Sequence, residues 1–315
     1  MFFRRAFLLL RAFLAVALLA WVLHRLRWEE MAAFSWGSLR ACWLAAAFTL
    51  GGLSVLGWAG RWWWFLRVYG VKARYGELLR LTLFADFFNL YFLGPLGADG
   101  IRLLLLRRSF PDRQGAIFGS LLLDHIGGLM GGAILYALFS RRSGLPETVL
   151  TSADTALILV VAVCFLGLGV IMEPWLQRLL GSIPGLKRLS TWVAPAYAGT
   201  FRHPWLFAGF AVSAAGTACA YAAFWAAARA LGVDVLPGLM LGLMPVVDAL
   251  ASLPISLSGL GIREGLLVEW LGAQPNVGAT QALAISLLGF AALGLWGLIG
   301  GIWLAFWRKK NQTTA

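Results

Sequence analysis

Charge is what this sequence has least of. Asp, Glu, Lys and Arg together make up 13% of its 315 residues, against about a quarter in ordinary soluble domains. With 60% hydrophobic residues and a mean hydropathy of +0.79, a water-soluble globular fold is excluded. Cysteine is nearly absent as well. Cys42, Cys164 and Cys219 lie singly in apolar stretches, without CxxC or metal-ligand spacing, and read as small core residues. The three histidines form no HxxxH pair. The chain also lacks a nucleophile elbow, a Gly-Lys-Ser/Thr phosphate loop and a soluble nucleotide-binding unit, so no catalytic residue, metal ligand or cofactor is assigned. The short alternating segments of a transmembrane β-barrel are missing too.

What the chain has instead is apolar length. Runs at about 7 to 23, 41 to 60, 115 to 139, 155 to 173, 205 to 231 and 279 to 307 match what a helix needs to cross a hydrocarbon core of about 30 Å, roughly 20 residues. The expected fold class is all-α, a polytopic integral membrane helical bundle forming one transmembrane domain over residues 1–315. The first run follows Arg4 and Arg5 like a secretory signal, but Trp21-Val22-Leu23-His24 stands where a small-residue cleavage site would be, so it is read as an uncleaved helix. Lys and Arg outnumber Asp and Glu by 26 to 14 and flank the apolar runs, which points to anionic headgroups as partners and away from nucleic acid. Trp62 to Trp64, beside Arg61, read as an aromatic belt at the inner surface. The mixed segment 174–203 suits either an interfacial helix or a loop.

Two further apolar regions, 78–106 and 236–271, are interrupted by Gly, Pro and charge and read as broken or re-entrant segments. Each carries an acid, a Pro, a Gly-rich turn, Gly-Ile-Arg and a Leu-rich return. Gly100-Ile101-Arg102 matches Gly261-Ile262-Arg263 at an offset of 161, and Asp86 matches Asp248 at 162. If both regions are hairpins, 18 of the 26 basic residues fall on one side, which the positive-inside rule makes cytoplasmic, together with both termini. The spans entering the two hairpins then run in opposite senses. The chain is thus expected to hold inverted repeats, the first at about 41–139 and the second at about 205–307, with a transport site between their broken segments. Eight full crossings are the competing topology.

Such a site suits an anion. Interrupted helices leave N–H groups and a positive dipole end, and Arg102 and Arg263 add forked donors that fit a phosphate. Alternatively Arg102 belongs to the cytoplasmic cluster and Arg263 pairs with Glu264 or Asp248. Asp86, Asn89, Asp99, Asp124, His125, Asp248, Glu264 and Glu269 are candidates because polar groups at membrane depth need a partner or a cavity. Asp124 is expected to pair with an arginine, and His125 could titrate in the physiological range. Gly127, Gly128, Gly131 and Gly132 form GxxxG spacings that allow close helix approach.

These residues resemble the transmembrane family named after lysylphosphatidylglycerol synthase, a flippase-like bacterial and archaeal group. The likeness rests on Arg61-Trp62, Asn89 before Pro95, Gly97-Ala98-Asp99-Gly100-Ile101-Arg102, Ser120 to Gly128 with Asp124, and Pro254 through Gly259, Gly261 and Glu264. The family's usual Asp-Arg pair reads Asp124-His125 here. The resemblance is to a stand-alone membrane domain without the aminoacyl-transferase domain of fused members, so the synthase activity is not assigned to it. It also implies a bacterial cytoplasmic membrane location and movement of a phosphate-bearing lipid between leaflets. An integral membrane enzyme or accessory subunit of a lipid, hopanoid or polyprenyl-glycolipid pathway is the other function considered, and a homo-oligomer or a pathway enzyme the possible protein partner. The topology predicts that single cysteines at Arg108 and Lys187 are labelled from the cytoplasmic side and one at Glu147 from outside. External labelling at position 108 would remove the double hairpin.

Overall fold

In lipid every backbone N–H and C=O must be satisfied within its own segment, and apolar runs of this length meet that demand as helices. The computed structural model describes residues 39–89, 94–172, 178, 181–183, 204–252 and 259–312, and among them there is no strand. The expected first helix at 7–23 and most of the 174–203 segment lie outside the described residues. The helices, in chain order, are α1 (Ala41–Val68), α2 (Tyr75–Phe88), α3 (Gly94–Ser109), α4 (Gln114–Phe139), α5 (Glu147–Met172), α6 (Pro204–Ala230), α7 (Pro237–Ala251), α8 (Ile262–Trp270) and α9 (Ala279–Gln312). Five stretches, in α1, α4, α5, α6 and α9, are long and apolar enough to cross a bilayer. The chain is a polytopic helical membrane protein.

Both interrupted regions are broken. The first divides into α2 and α3, the second into α7 and α8, so that α1–α4 and α6–α9 repeat one order: long, short, short, long. Local details recur at a constant offset. Trp63 donates its indole N–H to the Ala73 carbonyl at 3.2 Å, and Trp225, 162 residues on, donates to Val235 at 2.9 Å. Val71 N–H returns to Leu66 O and Val233 N–H to Ala228 O, closing α1 and α6 with the same turn around Gly70 and Gly232.

The largest helix interface joins α1 to α6, and the two run antiparallel. Trp43 meets Trp225 near one end with ring centroids 5.1 Å apart, Gly57 faces Gly216 in the middle, and Phe65 meets Phe210 near the other end. Around this axis the packing is exchanged between halves. α2 packs on α9, where Gly300 lies against the Leu83 backbone and Phe84 meets Trp303, and α7 packs on α4, where Gly242 lies against the Phe139 carbonyl. Each half has its own apolar core, one around Trp62, Phe65, Phe84 and Ile117, the other around Phe224, Met240, Leu243 and Ile285. α5 turns Ile158, Leu159, Val163, Phe165 and Leu166 outward, as lipid contact requires.

Three expectations are corrected. α1 does not stop at residue 60 but continues to Val68, because Arg61 is buried and paired and so does not mark a water boundary. Trp62 is fully buried and donates to Ser120 Oγ at 3.0 Å, so it is a core residue and not part of an aromatic belt. Of the cysteines only Cys164 is buried, while Cys219 is half-buried and Cys42 exposed. Apolar surface in a bilayer need not be hidden from solvent, so hydrophobicity alone does not separate core from lipid face.

The α1–α6 contact depends on small residues, since a Cβ built on Gly57 would lie 2.7 Å from Gly216 Cα, with backbone on both sides. Gly57→Leu should destabilise the protein by about 1–3 kcal/mol through overpacking. Gly76→Ala, in α2 where nothing lies within 4 Å, should be neutral or stabilising by up to about 1 kcal/mol. Thermal unfolding in detergent measures both, and equal behaviour of the two variants would contradict the close contact.

Candidate functional site

The first half gathers its polar residues into one cluster. Arg61, on α1, grips Asp124 of α4 with two parallel bonds, Nε to Oδ1 at 2.6 Å and Nη2 to Oδ2 at 3.0 Å. Its Nη1 donates to Ser213 Oγ at 3.1 Å, and Ser213 in turn donates to the Gly127 carbonyl at 2.5 Å. One guanidinium thereby ties α1, α4 and α6 together. The glycines of α4 make the space: a Cβ on Gly127 would meet Arg61 Cδ at 3.1 Å and Phe65 at 2.8 Å, and one on Gly128 would meet Arg61 Nη1 at 3.1 Å. The GxxxG spacing therefore accommodates a charged side chain as well as a neighbouring helix.

Arg102 of α3 enters the same cluster. Its Nη1 donates to Asp124 Oδ2 at 3.1 Å and lies 3.7 Å from Asp99 Oδ1, one helical turn back, while Nη2 is 4.0 Å from Asp86 Oδ1 of α2. The guanidinium carbon stands 5.5 Å from the Trp62 ring centroid. Arg102 and Asp86 are both more than nine-tenths buried, and Arg102 Nε and Asp86 Oδ2 have no hydrogen-bond partner among the described residues. His125, next to Asp124, turns its Nε2 onto Asp99 Oδ2 in a close contact. Asn89 caps α2. Gly97 and Gly100 are already helical in α3, so the expected Gly-rich turn begins earlier in the chain than these two.

The second half builds a smaller cluster on the equivalent elements. Tyr221 of α6 donates to Asp248 Oδ2 of α7 at 3.3 Å, and Arg263 of α8 lies within electrostatic reach of Asp248 with its guanidinium carbon 4.7 Å from the Phe290 ring centroid. The turn before α8 holds Gly259 at φ +74° and Gly261 at φ +83°, values that residues with a Cβ rarely adopt. A Cβ on Gly259 would also strike Ala251 at 2.8 Å. Glu264 is fully buried and its two oxygens are engaged, Oε2 by the Gly261 N–H at 2.6 Å and Oε1 by the Ser286 hydroxyl at 3.0 Å. The anion expected at the start of this half-helix is thus supplied by the protein itself, because a Glu at the third helical position reaches back to the capping amide.

The sequence profile of the lysylphosphatidylglycerol synthase TM region matches residues 8–301. The chain belongs to this family. A search of curated proteins finds no match. In this member the family's membrane domain places Arg102, Asp99, Asp86 and Asp124 together, and Arg263 and Asp248 together, in separate halves. Arg61 and Ser213 are site residues that sequence reasoning assigned elsewhere or passed over. Their signal was present: the apolar run continues past Arg61 to Val68, and an arginine inside such a run requires a buried acid and small neighbours.

Removing one partner of a buried pair strands the other, so Arg61→Ala should destabilise the protein by about 3–5 kcal/mol. Arg61→Lys should recover only part, since an ammonium cannot reproduce the two parallel bonds to Asp124. Chemical unfolding in detergent reads both variants, and full recovery by lysine would show that charge alone matters.

Proposed function

We propose that this protein moves a polar, phosphate-bearing lipid headgroup between the leaflets of the bacterial cytoplasmic membrane. The observation that carries the reading is the pair of broken helix segments, α2–α3 and α7–α8, each holding an arginine more than nine-tenths buried beside an acid, Asp86 buried and Asp248 half-buried. Charges at this depth are expensive and belong to a route for polar cargo more readily than to a scaffold. The antiparallel α1–α6 axis and the exchanged packing of α2 on α9 and α7 on α4 support inverted repeats. In such folds cargo binds between discontinuous helices near the midplane. Both termini would be cytoplasmic, with the two broken segments as re-entrant hairpins, and Arg102 and Arg263 as headgroup donors supported by Asp86, Asp99, Asp124, Asp248, Asn89 and Glu264. Gly259 and Gly261 would shape the second turn, and Gly97 and Gly100 the approach to Arg102. The membership of a lipid-related membrane family points the same way.

Reconstitution into liposomes with fluorescent phosphatidylglycerol tests the proposal by scoring leaflet exchange and covalent products together. Exchange without a new lipid species is the expected result, and a new species without exchange would make the protein an enzyme. Losing a charge-assisted hydrogen bond costs about 1.5–3 kcal/mol, so Arg263→Ala should weaken headgroup affinity roughly 10- to 150-fold, with Arg263→Lys intermediate. Unchanged affinity would remove Arg263 from the site.

A further inference from the structure

The first-half cluster is unbalanced. Three carboxylates, Asp86, Asp99 and Asp124, surround two guanidinium groups, Arg61 and Arg102, which leaves one negative charge without a fixed counterpart among the described residues. An uncompensated charge at membrane depth is costly, and an anion entering the cluster deepens the deficit unless a proton enters with it. One side chain is placed to take it. His125 Nε2 contacts Asp99 Oδ2, and the imidazole is half-exposed while Asp99 is mostly covered, so the proton has a way in from outside the cluster and an acceptor on its inner side. Two buried polar atoms of the cluster, Asp86 Oδ2 and Arg102 Nε, have no hydrogen-bond partner among the described residues, which leaves capacity for an incoming group.

We infer that the Asp99–His125 pair binds one exchangeable proton, and that its occupancy is linked to that of an anionic phosphate group at Arg102. The inference rests on the headgroup reading above and adds a coupling ion to it. Arg102 Nη1 is shared between Asp124 at 3.1 Å and Asp99 at 3.7 Å, so the longer contact to Asp99 is the one that a phosphate oxygen displaces. Asp99 then turns fully to His125, which takes a proton from a solvent hydronium ion on Nδ1, releasing water, while its Nε2–H donates to Asp99 Oδ2. No other bond forms or breaks. Each added negative charge is thereby matched by one proton, and the reverse holds when the phosphate leaves.

Asp86, whose Oδ2 has no partner among the described residues, is the other group of the cluster able to take a proton, and the His125 readout separates the two. α3 faces His125 with Asp99 and Arg102 and its own helix with Asp124, while Arg61 of α1 and Asp86 of α2 join the cluster through Asp124 and Arg102. Asp154 of α5 is held by Tyr136 and Arg141, and Asp248 of α7 by Tyr221.

The test uses the whole chain in phosphatidylcholine nanodiscs with ¹⁵N-labelled histidine, the His125 signal being identified among the three imidazoles by its loss in His125→Gln. His125 should titrate, and Asp99→Asn should weaken its proton affinity about tenfold or more. Adding dihexanoyl phosphatidylglycerol should raise that affinity severalfold without moving the other two imidazoles equally. Inorganic phosphate in a parallel arm distinguishes a lipid headgroup from a free anion, and a rise with either supports the linkage. No response to Asp99→Asn overturns the proton pair, and a response to neither probe, or a shift shared by all three imidazoles, overturns the linkage. Leaflet exchange is scored separately, so failure of the translocator reading leaves this outcome distinct.

Discussion

The bond on which this bundle depends is the bidentate contact between Arg61 and Asp124. A guanidinium and a carboxylate buried together in a membrane protein are tolerable only when each satisfies the other, and the geometry here, with 2.6 and 3.0 Å contacts, does that. Several features follow from it. α1 can continue through an arginine to Val68, α4 must present glycine at 127 and 128, and α6 must carry Ser213 to take the remaining donor. The pair also sets where Arg102 sits, since Asp124 accepts from both arginines.

The two halves share a skeleton but not its chemistry. At the offset that relates Trp63 to Trp225 and Asp86 to Asp248, Arg61 corresponds to Ala223 and Asp124 to Ser286. The second half thus has a hydroxyl and a methyl group where the first has an ion pair. Ser286 still contacts the broken segment, through Glu264, as Asp124 does through Arg102. The first cluster therefore holds two arginines and three acids, and the second one arginine with Asp248 and Glu264, so the buried charges are arranged differently in the two halves.

Glu264 and Trp62 show how local pattern and tertiary role part company. Glu264 looked like a partner for Arg263 because the two are adjacent, yet its oxygens fix the Gly261 amide and Ser286, so it shapes the turn that presents Arg263. Trp62 looked interfacial because it follows an arginine and precedes two more tryptophans, yet it lies in the core with its N–H on Ser120. Adjacent residues on a helix point about 100° apart, so neighbours in sequence need not share an environment.

By itself the sequence determined the membrane bundle, the interruption of the 78–106 and 236–271 regions and the family, because each is written in runs, interruptions or short-range motifs. It also singled out Asp86, Asp99, Asp124, Asp248, Arg102 and Arg263, since charge in an apolar run is conspicuous. Only the tertiary structure decided which of them meet. Asp124 lies 63 residues from Arg61, and Ser213 lies 152 from it, and no periodicity within either helix encodes which face of α1 turns toward α4 and α6. That choice comes from glycine-mediated close packing of antiparallel helices, a property of surfaces brought together across the fold.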